Sequence, residues 1–251
     1  MKTGFLITAR MGSSRLKDKH FLPVNGQPIL LVLIKRIHNM FLDQILNGTA
    51  QIIITTPDTQ SSEAFNGIAP GMASLFRGSP DNIPLRHLQT SDAFCFDSII
   101  AVDGDDPLCS VDGMKKVQNS IFNGEEYVKT NGLPLGMNSM GYTKEFLRRS
   151  VMPHANCVVE TGWDWIFDKT KLLNIKIDSS PENNNLRFTL DYQEDYVFLK
   201  RILELIGDEV LTIKDSDVVE KVISNKIYEL NEMVTDEYWK NFNLKKSREA
   251  N

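Results

Sequence analysis

GFLITARMGSSRLKDKH, residues 4–20, begins as a buried β-strand and then changes character within one residue. Gly4 to Ala9 is a short run of apolar and β-forming residues, which predicts a first strand. Directly after it, Arg10, Arg15, Lys17 and Lys19 stand against a single acid, Asp18, with Gly12, Ser13 and Ser14 threaded between them. Like charges crowded into one loop repel each other unless an anion offsets them. Small side chains let backbone N–H groups close on such an anion, while arginine and lysine add charge-assisted hydrogen bonds. Open α/β sheets bind ligands at the carboxyl ends of their strands, where this loop would lie. The cluster suits a triphosphate. A solvated basic loop is the plainer alternative for any one of its residues. The loop is neither G-x-G-x-x-G nor a P-loop, so dinucleotide and P-loop readings lose their main support.

Moving outward, Asn25-Gly26 marks a turn and Pro28 stands where a helix would begin. Leu30, Leu33, Ile34, Ile37 and Phe41 then repeat at helical spacing. Gln51–Thr56 (QIIITT), Ser74–Gly78 (SLFRG) and Asp97–Asp103 (DSIIAVD) read as strands, the last with a core suited to cover on both faces. A helix over Val111–Phe122, a strand in EEYVKT and another in LRFTLD (Leu186–Asp191) follow. Leu199, Ile202, Leu203 and Ile206 mark a further helix. This alternation predicts an α/β fold with a mostly parallel sheet and helices on both faces. Residues 1–233 are expected to form the domain, with an inserted subdomain near 133–181 where glycines, MPHANC and GWDW interrupt the pattern. Residues 234–251 read as a C-terminal tail that frays.

Composition narrows the function classes. The 251 residues are 41% hydrophobic and 24% charged, enough for a substantial core. A formal charge of −5 argues against a general nucleic-acid binder, so a basic site must be local. The run ILLVLI stops at Lys35 after six residues, far short of the roughly 20 a membrane span needs. With no extended apolar leader segment, a cytoplasmic location is expected. Cys95, Cys109 and Cys157 lack C-x-x-C spacing and read as free thiols. His20, His38, His87 and His154 are scattered and read as structural or exposed.

The central strand ends in AVDGDDP. If it stays extended through Asp105, Asp103 and Asp105 share a face, and two carboxylates at a sheet edge suit Mg²⁺ together with phosphate oxygens. An Asp-Gly turn is the alternative. Asp191 ends LRFTLD, and with Glu194 it fits a helix cap and its capping-box partner.

Taken together, these segments resemble the cytidylyltransferases that make CMP-activated acidic sugars: CMP-Kdo synthetases, CMP-sialic acid synthetases and SpsF-like spore-coat polysaccharide proteins. ARMGSSRLKDK (Ala9–Lys19) is similar to their A-R-x-x-S-[ST]-R-L-x-x-K signature, and VDGDDPL (Val102–Leu108) to V-x-G-D-x-P-L. LFRGSPDNIPLR (Leu75–Arg86) resembles F-R-G-S-x-D-[DN]-x-L-x-R, and LRFTLDYQED (Leu186–Asp195) resembles R-x-T-[LV]-D-x-x-E-D.

The resemblance implies a nucleotide-diphospho-sugar transferase-like fold, and the inserted segment would carry the sugar pocket and homodimer contacts. It implies that Arg10, Ser13, Arg15 and Lys19 hold the CTP phosphates, that Arg77, Gly78 and Ser79 belong to a nucleotide-binding loop, and that Asp105 and Asp191 ligate Mg²⁺. Arg15, Lys19 and Asp105 would be the catalytic set. CMP would pass to the anomeric hydroxyl of an acidic sugar, with either a metal-bound hydroxyl or Asp103 accepting the proton. Arg148, Arg149 and Arg187 are candidate partners for the sugar carboxylate.

The sequence departs from the family where L-P-G-K becomes LKDK, where Asp103 adds a charge beside the metal pair, and where E-H-V-T-P-Y is replaced by MPHANCVVETGWDW. Competing readings are a metal-dependent glycosyltransferase using the D-x-D at Asp103–Asp105, a nucleotidyltransferase using another nucleoside triphosphate, and a non-catalytic nucleotide-binding homologue.

Overall fold

The computed structural model describes residues 1–177 and 185–249. The chain runs through β1 (Thr3–Thr8), a small hairpin of β2 (Pro23–Val24) and β3 (Gln27–Pro28), α1 (Leu30–Met40), α2 (Leu42–Leu46), β4 (Ala50–Pro57), β5 (Ser74–Gly78), α3 (Ile83–Phe94), β6 (Ser98–Asp103) and α4 (Val111–Phe122). It continues with β7 (Tyr127–Asn131), β8 (Met140–Thr143), α5 (Lys144–Val151), β9 (Leu172–Lys176), α6 (Gln193–Ile206), α7 (Asp215–Ser224) and α8 (Thr235–Glu249). None of the described helices is long and apolar enough to cross a membrane.

Seven strands form one sheet in the order β5-β4-β1-β6-β8-β7-β9. Of these seven, only β8 runs against its neighbours, so the sheet is mostly parallel. The alternation of side chains along β1 makes two cores. Phe5 and Ile7 pack with α1 and α4 on one face, while Leu6 packs with Leu88 of α3 and Phe146 and Leu147 of α5 on the other. The α1 stripe Leu30, Leu33, Ile34 and Ile37 is fully buried, each residue worth about 1.5–3 kcal/mol relative to exposure. A third core joins α6 and α7 to Leu186, Phe188 and Leu190.

Local chemistry accounts for several boundaries. Asn25 and Gly26 both take positive φ (50° and 75°), the conformation that an Asn-Gly hairpin turn requires. The Asn82 side chain accepts from the Leu85 N–H at 2.9 Å to start α3, and Ser110 does the same for Gly113 at 2.8 Å to start α4.

Four expectations are corrected. The segment expected as an insertion does not stand apart from the sheet: it supplies β8, which lies between β6 and β7, and β9, which extends the edge beyond β7. Residues 178–181 of that segment lie outside the described residues. Leu186–Asp191 is not a ladder strand. Its backbone is spent on single contacts, with Phe188 N–H donating to Leu135 O at 2.8 Å and Leu190 N–H to Asp105 O at 2.8 Å. The extended run at β6 stops at Asp103, and the Asp106 N–H closes a turn onto Asp103 O at 3.0 Å. Finally, the expected C-terminal tail is helix α8 up to Glu249, while residues 250–251 lie outside the description.

Candidate active site

Parallel strands deliver their carboxyl ends to one cleft of about 790 Å³, lined by Thr8 of β1, Asp103 of β6 and Thr130 of β7. Thr8 and Asp103 are register partners across β1 and β6, so the basic loop leaving β1 and the acidic turn leaving β6 begin side by side. Gly104 makes that closeness possible. Its N–H donates to Thr8 O at 2.8 Å, and a Cβ there would lie 3.0 Å from the same oxygen and 3.2 Å from the His20 ring.

Lys19 is the hub. Its ammonium donates to Asp105 and, at 3.2 Å, to Oδ1 of Asp191, which also accepts from Arg15 Nη2 at 2.6 Å. Arg187 Nη2 reaches the other Asp191 oxygen at 3.3 Å. Burial works against the Lys19 ammonium, but Asp105 and then Asp191 outweigh it and hold its pKa above the usual lysine value. Burial likewise opposes the Asp105 carboxylate, which the Lys19 ammonium nevertheless keeps below the ordinary range.

Two further carboxylates behave oppositely. Asp103 is open to the water of the cleft yet lies deep in the molecule; burial and then Asp105 push it up to about 7, a shift that cleft water tempers. Asp106 is pushed well above the usual value by burial, Asp105 and Asp103. His20 is driven down to about 4 by burial and Lys19, so it is neutral and its Nδ1–H donates to Gly104 O at 3.3 Å.

The structure therefore brings Arg10, Ser13, Arg15, Lys19, Asp105 and Asp191 to one cleft. Arg10 meets Glu160 at 3.1 Å near its mouth, and Ser13 Oγ accepts from the Leu16 N–H at 3.4 Å. Asp191 is not the helix cap. Asp195, one residue beyond the expected Glu194, accepts from the N–H groups of Asp191 and Tyr192 at 2.9 and 3.0 Å, which leaves the Asp191 carboxylate free for Arg15 and Lys19.

Arg77, Gly78 and Ser79 are not among the cleft-lining residues. Arg77 pairs with Glu63 at 2.7 Å, and the Ser79 N–H donates to Gln89 Oε1 at 2.8 Å. Ser79 and Pro80 hold Arg86, which does line the cleft: its Nε donates to Ser79 O at 2.8 Å and its Nη2 to Pro80 O at 3.1 Å. The three arginines considered for a sugar carboxylate are engaged elsewhere. Arg148 pairs with Asp92, Arg149 with Glu126, and Arg187 with Asp191 and Asp195.

Sequence reading missed Arg86, Lys129, Glu160, Trp163 and Asp164, all of which line the cleft. It also missed α8. Tyr238, Trp239, Phe242 and Lys245 recur at spacings of three and four, a helical face that was open to inspection in the sequence.

Residues 5–204 match the sequence pattern of the cytidylyltransferase family. The chain belongs to that family. This cytidylyltransferase is 28% identical to an uncharacterized protein of Methanocaldococcus jannaschii over 224 residues, 86% of this chain and 90% of the relative. It is 24% identical to the spore coat polysaccharide biosynthesis protein SpsF of Bacillus subtilis over 212 residues, 81% of this chain and 87% of that protein. Its fold is similar to that of a cytidylyltransferase from Leptospira borgpetersenii, with a TM-score of 0.76 and 22% identity over 91% of this chain and 97% of the other.

The carboxylates fit a divalent cation in one respect that can be read directly: Asp105 and Asp191 already converge on a single positive charge, the Lys19 ammonium. Their oxygens are the hard donors Mg²⁺ prefers. Among the described residues no group of three or more His, Cys, Asp or Glu is arranged to hold a metal, so such an ion would take its remaining ligands from nucleotide and water.

Proposed function

We propose that this cytidylyltransferase moves CMP from CTP to the anomeric hydroxyl of an acidic, ulosonic-type sugar, releasing pyrophosphate, in support of surface-glycan synthesis. The observation that carries the reading is the meeting of Lys19 with Asp105 and Asp191, 86 and 172 residues away in sequence, beside the loop that holds Arg10 and Arg15. Cations and carboxylates interleaved in one cleft suit a magnesium-bound triphosphate, whose phosphates take the cations while its metal takes the carboxylates. The glycan assignment draws on the similarity to the spore coat polysaccharide protein.

Nucleotidyl transfer asks a protein chiefly for positioning and charge neutralisation. Held by Asp105 and Asp191, Mg²⁺ would neutralise charge on the triphosphate as a Lewis acid. Arg10, Arg15 and Lys19 would turn from their carboxylates to phosphate oxygens and stabilise the departing pyrophosphate. Arg187, locked by Asp195 through bonds of 2.8 and 2.9 Å, would hold Asp191 in place through the exchange. A homodimer in the cytoplasm belongs to the same reading, and light scattering on the purified protein checks the dimer.

The deciding experiment supplies CTP, Mg²⁺ and a panel of acidic sugars and measures pyrophosphate, with UTP, GTP and ATP in parallel. Turnover is expected with CTP alone and is lost with EDTA. Asp105→Asn is expected to abolish turnover while retaining the wild-type circular dichroism spectrum; normal activity in that variant removes the metal assignment.

A further inference from the structure

Helix α8 carries to the cleft two cations for which the site so far has no anion. Lys245 and Arg248 line the cleft together with Trp239 and Phe242 of the same helix. Every other cation there is already engaged. Arg10 faces Glu160, Arg15 faces Asp191, Lys19 faces Asp105 and Asp191, and Lys129 faces Asp164. Arg86 is held by two carbonyl oxygens. Among the described residues lining the cleft, Lys245 and Arg248 are the cations with neither an ion pair nor a hydrogen bond to a side chain or backbone.

Both are exposed, and alone they would read as a solvated helix edge. Their placement says more, because the end of the helix is tied across the cleft. Glu249 accepts the N–H groups of Glu160 and Thr161 at 2.9 and 2.7 Å. Phe242 closes on Gly162, where a Cβ would lie 3.1 Å from its ring. The two cations are thus held facing the cavity. Moreover, α8 lies wholly beyond residue 204, where the family match ends. It is therefore no part of the pattern that residues 5–204 share with the family, and its contacts are free to differ with the acceptor.

We propose that Lys245 and Arg248 bind the carboxylate of the acceptor sugar, with Trp239 packing against its ring. This rests on the proposed transfer of CMP to an acidic sugar. It also supplies the carboxylate partner that Arg148, Arg149 and Arg187, all engaged elsewhere, do not. Two charge-assisted contacts to one carboxylate make the pair specificity-determining for the acceptor while leaving the nucleotide to the loop after β1.

The test is the double variant Lys245→Gln, Arg248→Gln, which keeps the side-chain stems and removes the charges. KM for the acidic acceptor is expected to rise by about tenfold or more, with CTP affinity by calorimetry within about twofold of wild type. The preference of the wild-type enzyme for the free acid over its methyl ester is expected to vanish. Lys245→Glu is expected to raise KM further. An unchanged acceptor KM overturns the assignment, and an equal loss of CTP affinity overturns it in favour of a triphosphate clamp. If wild type binds CTP but releases no pyrophosphate with any carboxylate acceptor, the proposed function falls and this assignment with it. Wild-type turnover beside an unaffected variant overturns this assignment alone.

Discussion

At the residue scale the site is a set of charges that neutralise one another until a ligand intervenes. Lys19 is buried and bound to two carboxylates, so its charge is both costly and compensated. Lys19→Ala is expected to weaken CTP binding by about tenfold or more, since a charge-assisted contact is worth about 1.5–3 kcal/mol; calorimetry with CTP measures it, and unchanged affinity would mean that the loop after β1 is solvated surface. Asp195 has the opposite character. Fully buried, it accepts from Arg187, Asn231 and two backbone N–H groups, and none of these contacts faces solvent. Removing one partner of a buried pair costs about 3–5 kcal/mol, so Asp195→Ala should lower the unfolding midpoint in urea sharply. A shift near zero would show that the Arg187 network is dispensable.

The element scale shows how a four-residue strand holds the sheet together. β8 bridges β6 and β7, and Gly141 allows it: a Cβ there would lie 2.7 Å from Ile99 O and 2.7 Å from Val117 Cγ1. Gly141→Ala is expected to destabilise the protein by about 1–3 kcal/mol, the usual cost of overpacking; chemical denaturation of the variant checks this, and wild-type stability would show that the neighbours yield freely. Sequence reading missed β8 because MGYT is short and contains a glycine, and a central position depends on neighbours far along the chain. It succeeded with α1 and α4, whose apolar stripes and turn residues are local. α8 fell between these cases. Its aromatic spacing was legible, yet it contains no buried residue that would have marked it as part of a core.

On the scale of the whole molecule, His87 joins three elements. From α3 it reaches Thr8 Oγ1 of β1 at 2.8 Å and the Tyr142 hydroxyl of β8 at 2.7 Å, and burial followed by Arg86 drives its pKa down to about 3. His20 is held to about 4. Both imidazoles are therefore neutral in the folded protein at pH 5, where an unfolded histidine is protonated. Protons taken up only by the unfolded chain make this contribution fall as pH drops from about 6.5 toward about 4 for His20 and about 3 for His87. Asp103 and Asp106 act in the other direction, because their raised native pKa values favour folding at low pH and lose that effect as pH rises. Net stability consequently hides both effects, and NMR titration separates them. The ring signals of His20 and His87 are expected not to move between pH 7.5 and 5, and a midpoint near 6.5 for either would overturn its neutral assignment.

The amino-acid sequence by itself determined the alternation of strands and helices, the strand that feeds the basic loop, and the acidic segment after β6, though not that this segment turns at Asp103. Those features rest on periodicity and turn chemistry within a few residues. Only the tertiary structure decided which charges meet. It set Lys19 between Asp105 and Asp191, shifted the capping box of α6 by one residue to Tyr192 and Asp195, kept Arg77 out of the cleft and lined the cleft with α8. An ion pair depends on where distant segments are held in space, and packing of the whole chain, not local propensity, sets that position.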